Sequence, residues 1–105
     1  MMFNDNKYTK TYEAIIAKAR LRHVQSGFTE KHHVIPKSLG GRNGYNLVKL
    51  TVREHFIVHW LLIRMMPVPS LKAKMINSLR MMRDNGHAKK EVYDKPITER
   101  VYANL

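Results

Sequence analysis

Residues 30–59 read EKHHVIPKSLGGRNGYNLVKLTVREHFIVH, and this stretch decides the fold. Leading into it, Phe28 to Ile35 is rich in β-branched and aromatic residues and stops at Pro36, whose missing N–H interrupts a strand ladder. Gly40, Gly41, Asn43 and Gly44 then cluster as turn formers. LVKLTV, residues 47–52, alternates apolar and polar side chains with the two-residue period of a strand covered on one face. The simplest reading is a two-stranded hairpin with a wide, glycine-rich, basic loop. Thr51 stands three residues before Glu54, the spacing of a capping box, and opens a helix through REHFIVHWLLIRMM that runs up to Pro67.

On either side the pattern is helical. Tyr12, Ile15, Ile16 and Ala19 recur at the spacing of one helix face, predicting an N-terminal helix within 8–26 with Gly27 as its C-terminal cap. PVPS (67–70) reads as a short rigid linker with Ser70 as N-cap. A further helix over 70–84 then places Leu71, Met75, Leu79 and Met82 on one face. The polar residues 85–105 are expected to form a C-terminal arm, with a final helical turn or two in PITERVYANL. The whole is one α+β domain spanning 1–105, its hairpin-helix core at 28–66.

Composition narrows the function. With no cysteine among 105 residues, neither a disulfide framework nor a thiolate metal site is available. Lys and Arg number 19 against 8 Asp and Glu, a net charge of +11, which favours a polyanionic partner and nucleic acid first. FIVHWLLI, the longest apolar run, is too short to span a bilayer, and MMFNDNKYTK has no signal-peptide core. A soluble, intracellular protein with no membrane partner is expected.

Four of the six histidines fall between positions 32 and 59. His55 and His59, four apart on a helix, share a face. Neighbouring strand residues face opposite sides, so only one of His32 and His33 can turn toward that helix face, and the two are expected to have different tasks. Either the i, i+4 pair or the HH dipeptide alone is more often an accident of surface or core. Their joint appearance across a hairpin and a capped helix points instead to a site where His32, His55 and His59 meet.

HHVIPKSLGG, then YNL, then REHFIVH resembles the HNH endonuclease motif, the ββα-metal fold, and most of all its small phage and homing-type members. The resemblance covers residues 30–60; residues 84–105 match nothing in it. It implies a ββα-metal core that hydrolyses DNA phosphodiesters, by nicking or by double-strand cleavage, leaving a 5′-phosphate and a 3′-hydroxyl. By position it makes His32, His55 and His59 metal ligands and His33 the general base, with Asn46 tying the hairpin loop and holding the catalytic geometry. Such hydrolysis needs a deprotonated water and charge stabilisation at phosphorus, and an imidazole suits the first task near neutral pH. The cofactor is a divalent ion. Three imidazoles favour Zn²⁺, Mn²⁺ or Ni²⁺ over the oxygen-seeking Mg²⁺ that many members use with Asp where His32 stands. A phage-encoded member would act in the host cytoplasm, and cutting both strands would require a homodimer, two successive nicks or a partner protein.

Lys31, Lys37, Arg42, Lys49 and Arg53 flank this site and are expected to contact DNA phosphates, which positions the backbone without reading sequence. Phe56, Trp60, Leu61, Leu62 and Ile63 read as core, and the methionines at 65, 66, 75, 81 and 82 as core filler or a partner-facing patch. Two rival functions share these residues: a non-catalytic nucleic-acid-binding module with a structural metal, and an accessory nuclease that needs a partner. His23 and His87 carry no assigned role.

Overall fold

The computed structural model describes residues 2–22 and 29–84. Residues 23–26 of the expected first helix, its proposed cap Gly27, the strand start at Phe28 and the arm at 85–105 lie outside the described residues. The element order is α1 (Lys7–Arg20), β1 (Thr29–His33), β2 (Leu47–Thr51), α2 (Val52–Met65) and α3 (Pro69–Asp84), with short 3-10 turns at Lys37–Leu39 and Gly44–Asn46 in the hairpin loop. This is an α+β chain in which a two-stranded antiparallel hairpin feeds directly into a helix.

The hairpin register pairs Glu30 with Leu50, Lys31 with Lys49, His32 with Val48 and His33 with Leu47. Alternation then sorts the side chains: Val48, Leu50 and His32 are buried, whereas Lys31 and Lys49 are exposed. At the end of β2 the capping box forms as its spacing predicts. Thr51 Oγ1 accepts from the Glu54 N–H at 3.1 Å, and Glu54 Oε1 accepts from the Thr51 N–H at 2.9 Å. Burial works to raise the Glu54 carboxyl, but hydrogen bonds from Arg22 and Thr51 and the charge of Arg22 outweigh it and hold the group below the ordinary carboxylate range. The same ion pair fastens the residues just after α1 to the start of α2.

Helix α2 is the spine. Val52, Phe56, Val58, Leu61, Leu62, Ile63 and Met65 are buried on it, against Tyr12, Ile16 and Ala19 of α1, Val48 and Leu50 of β2, and Met75 and Leu79 of α3. Burying one such large apolar side chain is worth about 1.5–3 kcal/mol, so α2, with seven of the fifteen buried core residues among those described, supplies more of the core than any other element. Trp60 is only partly buried and meets Tyr8 edge-on, with ring centroids 5.9 Å apart.

Two boundaries differ from the expectation. Helix α1 ends at Arg20, because its buried stripe ends with Ala19 and the following Leu21 is 76% exposed. Helix α3 begins at Pro69, placing Ser70 inside the helix rather than at its cap; proline's fixed φ suits a first helical position, where no N–H is needed. No described helix is long and apolar enough to cross a membrane.

Candidate metal centre and its cleft

His32 comes from the buried face of β1, and His55 and His59 from adjacent turns of α2. Their three imidazoles form a nearly equilateral triangle, with ring centroids 5.1 Å (32–55), 5.2 Å (32–59) and 4.8 Å (55–59) apart. One nitrogen from each lies within 4.8 Å of the others. Of the adjacent pair, His32 turns inward to this cluster while His33 lies at the strand end.

Neighbouring groups set the protons on these rings. Glu30, two residues before His32 and so on the same face of β1, places Oε1 3.0 Å from His55 Nδ1. An ionised carboxylate only accepts, so His55 donates from Nδ1 and carries its ring lone pair on Nε2. His59 Nδ1 is sheltered from solvent and has no hydrogen-bond partner among the described residues. A buried imidazole nitrogen with nothing to bond to is costly unless a ligand meets it. Burial, followed by the charges that His59, His55 and His33 would carry, pushes His32 down to about 2. Burial and then His55 push His59 down to about 3. Both rings are therefore neutral at neutral pH, the state in which imidazole binds a cation. The donor set thus fits a divalent transition-metal ion, with His32, His55 and His59 able to hold it.

The cluster opens into a cleft of about 500 Å³, lined on the hairpin side by Lys31, His33, Lys37 and Ser38 and on the α3 side by Ser78, Met81 and Met82. His33 Nε2 lies 2.9 Å from Asn43 Oδ1. The amide oxygen accepts, so His33 donates from Nε2 and its Nδ1 is left as a base.

Asn46 organises the loop between the strands. Its Oδ1 accepts from the Ile35 N–H at 2.8 Å, and its Nδ2 donates to the Ile35 carbonyl at 3.0 Å and the Arg42 carbonyl at 2.8 Å. Gly41 fits beneath this knot only because it lacks a side chain: a Cβ there would stand 1.7 Å from the Ile35 carbonyl oxygen.

The five basic candidates do not converge on one place. Lys31 and Lys37 line the histidine cleft. Lys49 instead borders a second depression with Arg20, Arg22 and Tyr45, where the Arg20 guanidinium stacks 4.1 Å from the Tyr45 ring centre. Arg42 and Arg53 are exposed and line neither. Sequence reasoning missed Glu30, Asn43 and the cleft wall from α3, and saw Tyr12 only as part of an apolar stripe. Glu30 had a usable signal in the two-residue strand period that pairs it with His32. The Asn43 contact depends on how the loop folds back and had none.

No family profile matches the chain, and no solved structure matches it. By sequence it is similar to proteins of Enterobacteria phage T4. It is 50% identical to one named "Probable mobile endonuclease D" over 62 residues, covering 54% of this chain and 24% of that protein. It is 38% identical to "Probable mobile endonuclease E" over 98 residues, covering 92% of this chain and 65% of that protein. It is 36% identical to "Probable mobile endonuclease B" over 80 residues, covering 71% of this chain and 29% of that protein. The chain thus spans about a quarter of the first of these relatives and somewhat under two thirds of the second.

Proposed function

We propose that the chain is a metal-dependent DNA endonuclease of HNH type, hydrolysing phosphodiester bonds in the cleft beside the histidine triangle. The observation that carries this reading is the pairing of two unlike histidines: three imidazoles converge at one point, while His33 stands beside them in the same cleft with a nitrogen to spare. Similarity to phage proteins named mobile endonucleases supports the endonuclease part of this reading.

Each residue then has a task. His32, His55 and His59 hold a divalent ion, which supplies charge stabilisation at the scissile phosphate and its leaving oxygen. His33, with Nε2 committed to Asn43, accepts at Nδ1 the proton of the attacking water, a role typically worth ~10²–10⁴-fold in rate. Asn46 holds the loop that carries Asn43 and so sets the angle of His33. Lys31 and Lys37 neutralise phosphates at the mouth of the cleft, while Arg42, Lys49 and Arg53 extend the positive surface around the hairpin. Three imidazole ligands favour Zn²⁺, Mn²⁺ or Ni²⁺ over Mg²⁺.

The test is cleavage of supercoiled plasmid by chelator-stripped protein, with each ion restored separately. Nicking or linearisation that returns with a transition metal supports the nuclease. Folded, metal-loaded protein that cuts with none of the ions favours a binding module or a nuclease that needs a partner.

A further inference from the structure

The proton count around Tyr12 makes this residue of α1 part of the metal centre. Tyr12 is 1% exposed, and its hydroxyl lies 2.7 Å from the Val34 carbonyl oxygen and 2.7 Å from His32 Nε2. The phenol carries one hydrogen, and a carbonyl oxygen can only accept. That hydrogen therefore goes to Val34. A second short contact at His32 Nε2 is favourable only if this nitrogen carries a proton and donates it to the phenol oxygen. The opposite assignment would set two lone pairs against each other at the Val34 carbonyl, on a phenol that is itself almost wholly shielded from solvent.

We infer that Tyr12 is a positioning residue that locks His32 as the Nε2–H tautomer, so that His32 meets a metal ion through Nδ1 while His55, held from the other side by Glu30, meets it through Nε2. The inference rests on the metal-centre reading above and adds the nitrogen each ligand uses. It also gives α1 a role beyond packing, because one hydroxyl ties the helix at once to a ligand and to the carbonyl immediately after His33. A ring held edge-on against His32, at 5.9 Å between centroids, sits where a hydroxyl of this length spans both partners.

The test is histidine-tautomer NMR on the full chain with labelled ring nitrogens, first metal-free and then with an NMR-active cadmium ion. The inference predicts His32 as Nε2–H in the metal-free wild type and cadmium coupling to His32 Nδ1. Tyr12→Phe removes the hydroxyl and keeps the ring. It is expected to leave His32 in mixed tautomers and to weaken Zn²⁺ binding by ~10–100-fold, while His55 keeps its Nδ1 proton. His32 found as Nδ1–H, cadmium coupling through His32 Nε2, or Zn²⁺ affinity unchanged in Tyr12→Phe would each overturn it. The wild-type tautomer needs no variant, so it decides even if Tyr12→Phe folds poorly. Wild-type protein that binds cadmium through His32 Nδ1 yet never cuts DNA defeats the nuclease reading alone and upholds this one.

Discussion

Glu30 and His55 meet across the hairpin-helix junction, with the carboxylate oxygen 3.0 Å from the imidazole Nδ1. Both side chains are largely buried, at 8% and 13% exposure, so the contact is little screened by solvent. Glu30→Gln removes the charge but keeps the shape, and the amide can present either a donor or an acceptor to the ring. The expected outcome is a ~10–100-fold loss of Zn²⁺ affinity, measured by competition with a chromogenic chelator. Unchanged affinity would show that Glu30 does not orient the ligand.

Metal-free stability should depend on pH in a defined direction. His32 and His59 take up protons in the unfolded chain near the ordinary imidazole range, around pH ~6.5, but in the folded protein only near 2 and 3. The unfolded state therefore binds more protons throughout that window. Stability is complete above about pH 7 and is lost as pH falls below ~6.5, by up to ~1.4 kcal/mol per pH unit for each histidine. Glu54, held low by Arg22 and Thr51, adds to the loss as pH passes down through the carboxylate range. Urea unfolding of stripped protein at pH 7.5 and pH 5 measures the difference; equal midpoints would contradict it.

Gly41 tests the loop. A methyl group there collides with the Ile35 backbone and crowds Asn46 Nδ2, and backbone yields less readily than a flexible side chain. Gly41→Ala is expected to destabilise by ~1–3 kcal/mol, seen as a lower urea midpoint at an unchanged slope. Because the loop carries Asn43, cleavage should fall by more than the loss of folded protein explains. A variant as stable and active as the parent would remove the loop from the account.

Lys31 and Lys37 border the cleft, unlike Arg42 and Arg53. The double variant Lys31→Ala/Lys37→Ala should bind duplex DNA more weakly and lose ~1.8 from the slope of log affinity against log salt, about 0.9 for each phosphate contact removed. A fluorescence titration across salt concentrations measures it. An unchanged slope would place the DNA elsewhere on the surface.

Features with short-range causes were legible in the sequence. The capping box at Thr51 and Glu54 is a three-residue signal, and the burial of His32, Val48 and Leu50 follows from strand alternation once the turn residues fix the hairpin. The convergence of His55 and His59 follows from helical spacing, and that of His32 from direct succession of strand and helix. Tyr12 was not legible in this way. It lies 20 residues from His32, and on an amphipathic stripe its ring reads as bulk while the hydroxyl is invisible to periodicity. The split of the basic residues between two depressions was hidden for a related reason: charge pattern gives signs, and only the packed hairpin gives directions.

The central claim is that the adjacent histidines divide the work, His32 holding the ion and His33 taking the proton. The most direct measurement sets His33→Ala beside the wild type and reads metal affinity and plasmid cleavage on the same preparations. The account predicts Zn²⁺ affinity within a few-fold of wild type and cleavage slower by ~10²–10⁴-fold. Cleavage at the wild-type rate, or loss of the metal together with the activity, would contradict it.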